Sequence, residues 1–340
     1  MTKFEPSNHI ANLIDDPYYK SLITLRNIVA TAIDNFFQTQ GIPKVDLYMV
    51  TNSVSSPMGR GSDSEPWPIM MGDTKTHLVD SAQFGMEPLV QKHFKAVYCY
   101  LPSFRGEHPD SHHLNQFYHC EAELRGTLDD CIRVVEQLMI DILSATSKAK
   151  LNTLINPKRL VRIHEIAAQP IGRVSFDEAA QVLGDSQQYI EKIAYGRKIT
   201  RGGEQKLSKI LFNDSCLFWI THFDRDVVPF YQKPDPEDNS AVLNADLILP
   251  YIDGQGFAGE AVGAGQRQDS VEELEESMER QKVANPTSYS WYLEMRKRPG
   301  YQVTSGFGLG VERLISWLVG TNDIASAAIY PVMKDVKALY

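Results

Sequence analysis

The chain has 340 residues, 43% of them hydrophobic and 23% charged, with a formal net charge of -9 and a pI near 5.5. That composition excludes a fibrous or disordered chain, and the negative charge means that a nucleic-acid partner would need a local basic patch. Single cores stop growing at roughly 250–300 residues, so one large domain with insertions, spanning 1–340, is the expected organisation. The longest basic run, Met295-Arg296-Lys297-Arg298, reads as a solvated helix terminus. Cys99, Cys120, Cys131 and Cys216 form no CxxC and read as reduced, mostly buried thiols. The N-terminus has no apolar leader and no apolar run is long enough to span a bilayer, so a cytoplasmic protein without a membrane partner is expected.

In chain order, Asp15-Asp16-Pro17 starts a helix whose Leu22, Leu25, Val29, Ile33 and Phe36 recur at helical spacing, with Gly41 as its stop. Residues 45–54 have a strand pattern. The small and turn-forming residues after Ser55 predict a flexible loop over 55–65, a candidate lid. Residues 96–101 and 117–124 predict two strands joined through a polar tip, Glu107 to His113. Thr127 starts an amphipathic helix running to about Leu143, and Ser175-x-x-Glu178 and Ser270-x-x-Glu273 are capping boxes for two more. Apolar runs at 216–221, 245–251 and 303–309 come late, between loops and helices, which favours an α+β sheet over a doubly wound one. Residues 234–240 read as an exposed loop.

Three stretches can carry chemistry. In Ser305-Gly306-Phe307-Gly308-Leu309-Gly310, glycines on alternate positions bare one strand face, either for tight helix packing or for the close approach of a ligand. Arg313, just inside the following helix, suits phosphate with its fixed fork of donors. The polar hairpin brings Arg105, Glu107 and Phe117 together, able to meet phosphate, an amine and a purine face, or to form a surface ion pair beside a core ring. His112 and His113 invite a metal reading, but adjacent histidines on a strand point to opposite faces, which counts against zinc. Asp246 and Glu260 flank glycine-containing sequence, and two carboxylates meeting in a cleft suit Mg²⁺, which prefers hard oxygen ligands. Each is open as well to an ordinary capping or ion-pair role.

Together these segments resemble the catalytic core of class II aminoacyl-tRNA synthetases, in the asparaginyl/aspartyl branch. Residues 104–121, opening on Phe104-Arg105-Gly106-Glu107, look like the family's second signature motif, and Gly306 through Leu314, GFGLGVERL, like its third. Residues 259–267, GEAVGAGQR, are similar to the asparaginyl enzymes' GEIIGGSQR, and 78–83 to their LTVSGQ. The resemblance implies an antiparallel β-sheet flanked by helices. It also implies ATP and Mg²⁺ as cofactors, held by Arg105, Glu107, His112, His113, Phe117, Glu260, Gly310 and Arg313, with Asp246 and Glu260 on the metal and Arg105, Glu260 and Arg313 catalytic. Ser81, Gln83, Met86, Glu121 and Arg267 then line the amino-acid site, Arg267 matching the arginine that pairs with an aspartate side chain.

Departures from the family refine the expectation. The core helix begins near Asp15, leaving no room for the family's N-terminal anticodon-binding barrel. Core-only relatives include archaeal asparagine synthetases, whose DLILPY is similar to residues 246–251. Met86 stands where aspartate users have lysine, Thr51 is the nearest match to the first motif's proline, and Tyr330-Pro331-Val332-Met333 replaces a terminal PFPR. The expected function is an AMP-forming ligase that activates aspartate or a close analogue and passes it to ammonia or a small amine, as a homodimer with no nucleic-acid partner. A tRNA-charging enzyme and an inactive paralogue that binds amino acid or nucleotide are the alternatives.

Overall fold

The computed structural model describes residues 4–55, 65–149, 151 and 153–337. The chain opens with α1 (His9–Asp15) and α2 (Pro17–Thr39), then β1 (Val50–Thr51), β2 (Trp67–Met71), β3 (Thr74–Leu78), α3 (Gln83–Val90), β4 (Ala96–Phe104), β5 (Gln116–Arg125), α4 (Leu128–Ser147) and α5 (Pro157–Ala167). A small α/β segment follows, comprising β6 (Gly172–Ser175), α6 (Phe176–Leu183), β7 (Ile190–Ile193), β8 (Gly196–Ile199) and α7 (Arg201–Phe212). The chain then returns through β9 (Phe218–Thr221), β10 (Asn244–Leu249), β11 (Gly259–Gln266), α8 (Val271–Arg280), α9 (Ser290–Arg296), β12 (Thr304–Gly310) and α10 (Val311–Val319).

Seven strands form the central sheet in the order β4-β5-β12-β11-β10-β9-β6. All neighbours are antiparallel except β6 and β9, which run parallel at one edge. The expected α+β sheet is therefore present, with one parallel pair that the antiparallel expectation did not include. One face is covered by α2, α4, α5 and α10, whose buried Leu25, Ile33, Val135, Ile142, Ile163 and Trp317 share one apolar core with β5, β11 and β12. In α2, Asp16 accepts from Tyr18 N and Pro17 occupies the first turn, where a missing N–H costs nothing. Phe37 stacks on Tyr98 of β4 with ring centroids 4.1 Å apart, tying that helix to the sheet. On the opposite face α3 packs on β4 and α6 with α7 on β9 and β10, leaving the middle strands between them open for the site.

Ser175 closes the reciprocal capping box that the sequence indicates, and Thr127, the expected helix start, closes another with Asp130. At Ser270 the hydroxyl accepts from Glu273 N, but it is Glu272 that the hydroxyl meets in return. Only Val50 and Thr51 of the expected strand 45–54 join a sheet, because Val45 bonds to Tyr98 O at one end while Tyr48 faces solvent. Most of the candidate lid, residues 56–64, lies outside the described residues. All four cysteines are free and buried, and no helix among the described residues is long and apolar enough to cross a membrane.

The basic run at 295–298 corrects the solvated-terminus reading. Lys297 and Arg298 are exposed, but Arg296 is buried, with Nη2 2.6 Å from Glu87 of α3. Tyr292 and Tyr301 hydroxyls donate to the same carboxylate at 2.6 and 2.7 Å, and Arg296 Nε donates to Gln268 O at 2.9 Å. Removing one member of a buried pair leaves the other charge uncompensated. Arg296→Ala should therefore lower unfolding free energy by about 3–5 kcal/mol in urea titration; a loss below about 1 kcal/mol, the range of exposed ion pairs, would contradict this.

Candidate active site

Two cross-strand rows build the floor. Glu121 (β5), Gly308 (β12), Gly263 (β11) and Asp246 (β10) lie side by side in register, and Glu123, Gly306, Gly265 and Asn244 form the next row. Facing residues of a ladder share a sheet face, so four glycines bare the middle while polar and acidic groups stand at both sides. The space is used. A methyl at Gly306 would overlap Glu123 Oε2 and Arg267, whereas at Gly263 it would sit 3.6 Å from both Asp246 Oδ1 and Glu260 Oε1.

Two adjoining cavities cover this floor. The first, about 380 Å³, is lined by every residue assigned to ATP: Arg105, Glu107, His112, His113, Phe117, Glu260, Gly310 and Arg313. The second, about 390 Å³, is lined by Ser81, Gln83, Met86, Glu121 and Arg267, together with Asp246. Arg105, His119, Glu260 and Gly308 border both, so the two cavities meet at one arginine and one carboxylate.

The first cavity is shaped by the hairpin loop between β4 and β5. Asn115 Nδ2 donates to Arg105 O and Glu107 O at 2.8 and 2.6 Å, while Asn115 Oδ1 accepts from Lys334 N. Residues 332–334 thus brace the loop. Arg105 lies over the Phe117 ring at 5.5 Å, and its buried Nε has no hydrogen-bond partner among the described residues. Glu107 accepts from Glu65 N at 3.1 Å. His112 and His113 sit in this loop rather than on a strand, so alternation of faces does not apply to them. His113 Nδ1 lies 2.9 Å from Asp110 and its Nε2 lies 3.3 Å from Arg313 Nη2. Burial, with the Arg201 charge nearby, holds His112 below the ordinary imidazole range. Arg313 starts from the first turn of α10 and reaches Glu260, 2.9 Å from Oε2 and 3.1 Å from the backbone oxygen.

In the second cavity, Glu121 Oε2 accepts from Ser81 Oγ at 2.9 Å and Ala82 N at 2.7 Å, with His119 Nδ1 2.8 Å from Oε1. That fixes a carboxylate at the start of α3, beside buried Met86 and Gln83. Arg267 is not a free cation: its Nε and Nη2 hold Glu123 at 3.0 and 2.8 Å, and both residues are buried. Burial pushes Glu123 above the usual carboxylate range, opposed by Arg267. Among the described residues no three His, Cys, Asp or Glu side chains form a metal cluster. Asp246 and Glu260, flanking bare Gly263, supply two hard oxygen donors to one space, a set that fits Mg²⁺ and leaves room for its waters.

Residues 2–334 match the family model described as tRNA synthetases class II (D, K and N). The chain belongs to this family. Similar solved structures include asparaginyl-tRNA synthetase from Pyrococcus horikoshii complexed with asparaginyl-adenylate, at 24% identity over 98% of this chain and 73% of that chain, TM-score 0.85. Asparaginyl-tRNA synthetase from Entamoeba histolytica, also with asparaginyl-adenylate, matches at 20% identity over 99% of this chain and 73% of that one, TM-score 0.80. Aspartyl tRNA synthetase from Entamoeba histolytica matches at 19% identity over 99% and 64%, TM-score 0.77. At these identities the structures establish the fold alone, the sheet of a class II synthetase.

Within this class II chain, sequence reasoning missed Glu123, Glu204 and His119. Glu123 was within reach, since it stands two residues after Glu121 on one strand and so shares its face. Glu204, from α7 of the small segment, accepts from Glu260 N at 3.3 Å and carried no sequence signal. Burial and the neighbouring Glu260 push its carboxyl from 4.5 up to about 8.

Two predictions follow from this geometry. The folded Glu204 keeps its proton up to about pH 8 whereas the unfolded chain releases it near 4.5, so this group makes stability fall as pH rises across that window. Glu204→Gln should flatten the slope in urea unfolding at several pH values, and an unchanged slope would contradict the assignment. Gly306→Ala should cost about 1–3 kcal/mol by overpacking, with Gly263→Ala much milder, as read from their urea midpoints; equal costs would contradict the crowding at Gly306.

Proposed function

We propose that this chain is an ATP-dependent, AMP-forming ligase that activates aspartate or a close analogue as an acyl-adenylate and transfers the acyl group to ammonia or a small amine. The observation that carries this reading is the meeting of two cavities at Arg105 and Glu260, each sized for one half of an adenylate. Adenylates are also what the neighbouring asparaginyl-tRNA synthetases hold.

In this reading the amino acid enters the second cavity with its ammonium on Glu121, whose orientation Ser81 and Ala82 N fix. Its α-carboxylate then faces the junction and attacks the α-phosphorus of ATP. Negative charge builds on the phosphoryl oxygens there, and Arg105 offers a buried donor, Nε, that has no partner among the described residues. Phe117, beneath that guanidinium, gives adenine a ring to stack on. Arg313, which lines the first cavity and is positioned by Glu260 and His113, receives the departing pyrophosphate. Magnesium would be held by Asp246 and Glu260, where it would neutralise phosphate charge. Holding reactants in line converts a bimolecular encounter into a near-unimolecular step.

Arg267 bears on the choice of side chain. Because Glu123 holds it, an aspartate carboxylate would enter a pair instead of meeting a free cation. Its entry is eased when Glu123 carries a proton, the form that burial favours. A homodimer belongs to the same proposal: exposed Tyr48, Met70 and Met71 lie in and beside the small β1–β3–β2 sheet, apolar side chains at an edge that a second copy would cover.

The test is amino-acid-dependent ATP/pyrophosphate exchange over Asp, Asn, Glu, β-alanine and 2,3-diaminopropionate, followed by product analysis with ammonium or total tRNA. Exchange with aspartate and formation of its amide are expected. Arg105→Ala should lower exchange by roughly 10²-fold or more. Absence of exchange with every amino acid would leave a binding protein, and acid-precipitable aminoacyl-tRNA would move the acceptor to tRNA.

A further inference from the structure

The second cavity has two walls, and activation of an amino acid employs only one. Ser81, Gln83, Met86 and Glu121 stand on the side of α3 and β5. Across from them are Lys198 of β8 and the apolar group Phe223, Val227, Val228 and Pro229. Nothing in adenylate formation calls for this second wall. It is nevertheless firmly built. Arg197 anchors the β7–β8 hairpin, its backbone N and Nε donating to Asp224 Oδ2 at 2.8 and 3.0 Å and its Nη2 reaching Asp224 Oδ1 at 2.6 Å and Asp177 at 2.8 Å. The same guanidinium lies over the Phe176 ring at 4.9 Å. At Gly196, with φ of 154°, an added methyl would meet Val227 at 2.7 Å, so hairpin and apolar wall are in close contact.

Of the two adjacent cations, Arg197 is fully engaged by carboxylates. Lys198, paired through its backbone with Glu191, is half-buried and borders the cavity, and its ammonium makes no hydrogen bond or ion pair among the described residues. Of the acids lining the cavity, Glu121 holds Ser81 and Ala82 N, Glu260 holds Arg313, Glu123 holds Arg267, Asp80 accepts from Ser55 and Glu204 accepts from Glu260 N, while Asp246 borders the same space. No carboxylate among the described residues is ion-paired with the Lys198 ammonium, so it is available for a charge-assisted contact with an anionic ligand. The apolar residues beside it would meanwhile cover a short hydrocarbon side chain.

We propose that this wall is the acceptor site, and that the acceptor is an amine carrying its own carboxylate, an amino acid, whose carboxylate binds Lys198. The inference rests on the adenylate-forming reading and names the substrate class that reading leaves open. Ammonia has no anionic group for Lys198 and no side chain for the apolar wall. Held there, the amine nitrogen approaches the acyl carbon of the adenylate. Its lone pair forms the C–N bond, the acyl C–O bond breaks with its electron pair leaving on AMP, and the two protons lost from the ammonium pass to water. The product is an amide between two amino acids.

The experiment supplies the whole protein with ATP, Mg²⁺ and the amino acid that supports exchange. It then offers glycine, alanine and valine, each against its carboxamide, with ammonium as a further acceptor. Amide formation is followed by mass spectrometry, and the ratio of kcat/KM for each acid to its carboxamide is taken within each variant, so that changes in folded fraction cancel. The wild type should prefer the carboxylate by about tenfold or more, the scale of one charge-assisted contact. Lys198→Ala should bring the ratio near one, Lys198→Arg should keep it, and Lys198→Glu should invert it. Equal use of ammonium or carboxamide by the wild type, no use of any carboxylate-bearing amine, or an unchanged ratio in Lys198→Ala would overturn the acceptor site. Exchange without acceptor is run on the same wild-type protein. Its presence alongside such a result refutes the acceptor site alone, and its absence refutes the adenylate reading beneath it.

Discussion

The site depends on four missing side chains. Gly263, Gly265, Gly306 and Gly308 face one another on β11 and β12; at Gly263 and Gly308 the bare backbone leaves depth to the cavities, and at Gly265 and Gly306 it makes room for Gln232 and for the Glu123–Arg267 pair. A methyl at Gly306 has nowhere to go, because Glu123 and Arg267 already fill that position from the neighbouring strands. Strand glycines sacrifice backbone entropy and packing. Here the loss is offset by the helix-covered face behind them, where Leu309, Val262 and Phe307 belong to the main core. One face of β11 and β12 holds the fold together while the other stays open.

Around that floor the charges are arranged in pairs, each fixing a different element. Glu123 and Arg267 join β5 to the end of β11, Glu260 and Arg313 join β11 to α10, and Glu87 and Arg296 join α3 to α9. The first and third of these pairs are buried, and buried pairs are weak evidence for stability, since desolvation consumes most of the Coulombic gain. Their effect is geometric. Arg296 also donates to Gln268 O, the residue after Arg267, so the pocket-lining faces of α3 and β11 are held by one network. The walls of the second cavity are thus cross-linked to each other by hydrogen bonds and ion pairs, the kind of arrangement that electrostatic preorganisation requires.

Much of this was legible in the sequence, for reasons that differ by element. Helix α2 announces itself by Asp16-Pro17 and a regular apolar stripe, and β12 with α10 by alternating glycines followed by Val311-Glu312-Arg313. The residues assigned to ATP and to the amino acid line two touching cavities because a resemblance over whole motifs transmits spatial order that periodicity cannot. What escaped was pairing between distant segments. Arg267 was legible as a cation but not as the partner of Glu123, 144 positions away in sequence. Arg296 looked like a surface charge because nothing near it in sequence shows that Glu87 waits in the core. Lys198 and Glu204 belong to the small segment between β6 and α7, whose short strands carry too few residues for a period to emerge.

The central claim is that the two cavities form a single adenylate site joined at Arg105. Its most direct measurement is the affinity of a non-hydrolysable aspartyl-sulfamoyl adenosine, compared by calorimetry with AMP and aspartate separately and repeated on Arg105→Ala. One continuous site predicts binding of the joined compound at least about 10²-fold tighter than either part, as expected when one ligand spends its association entropy once, with most of that gain lost in the variant. Binding of the joined compound no tighter than AMP alone would contradict a shared site.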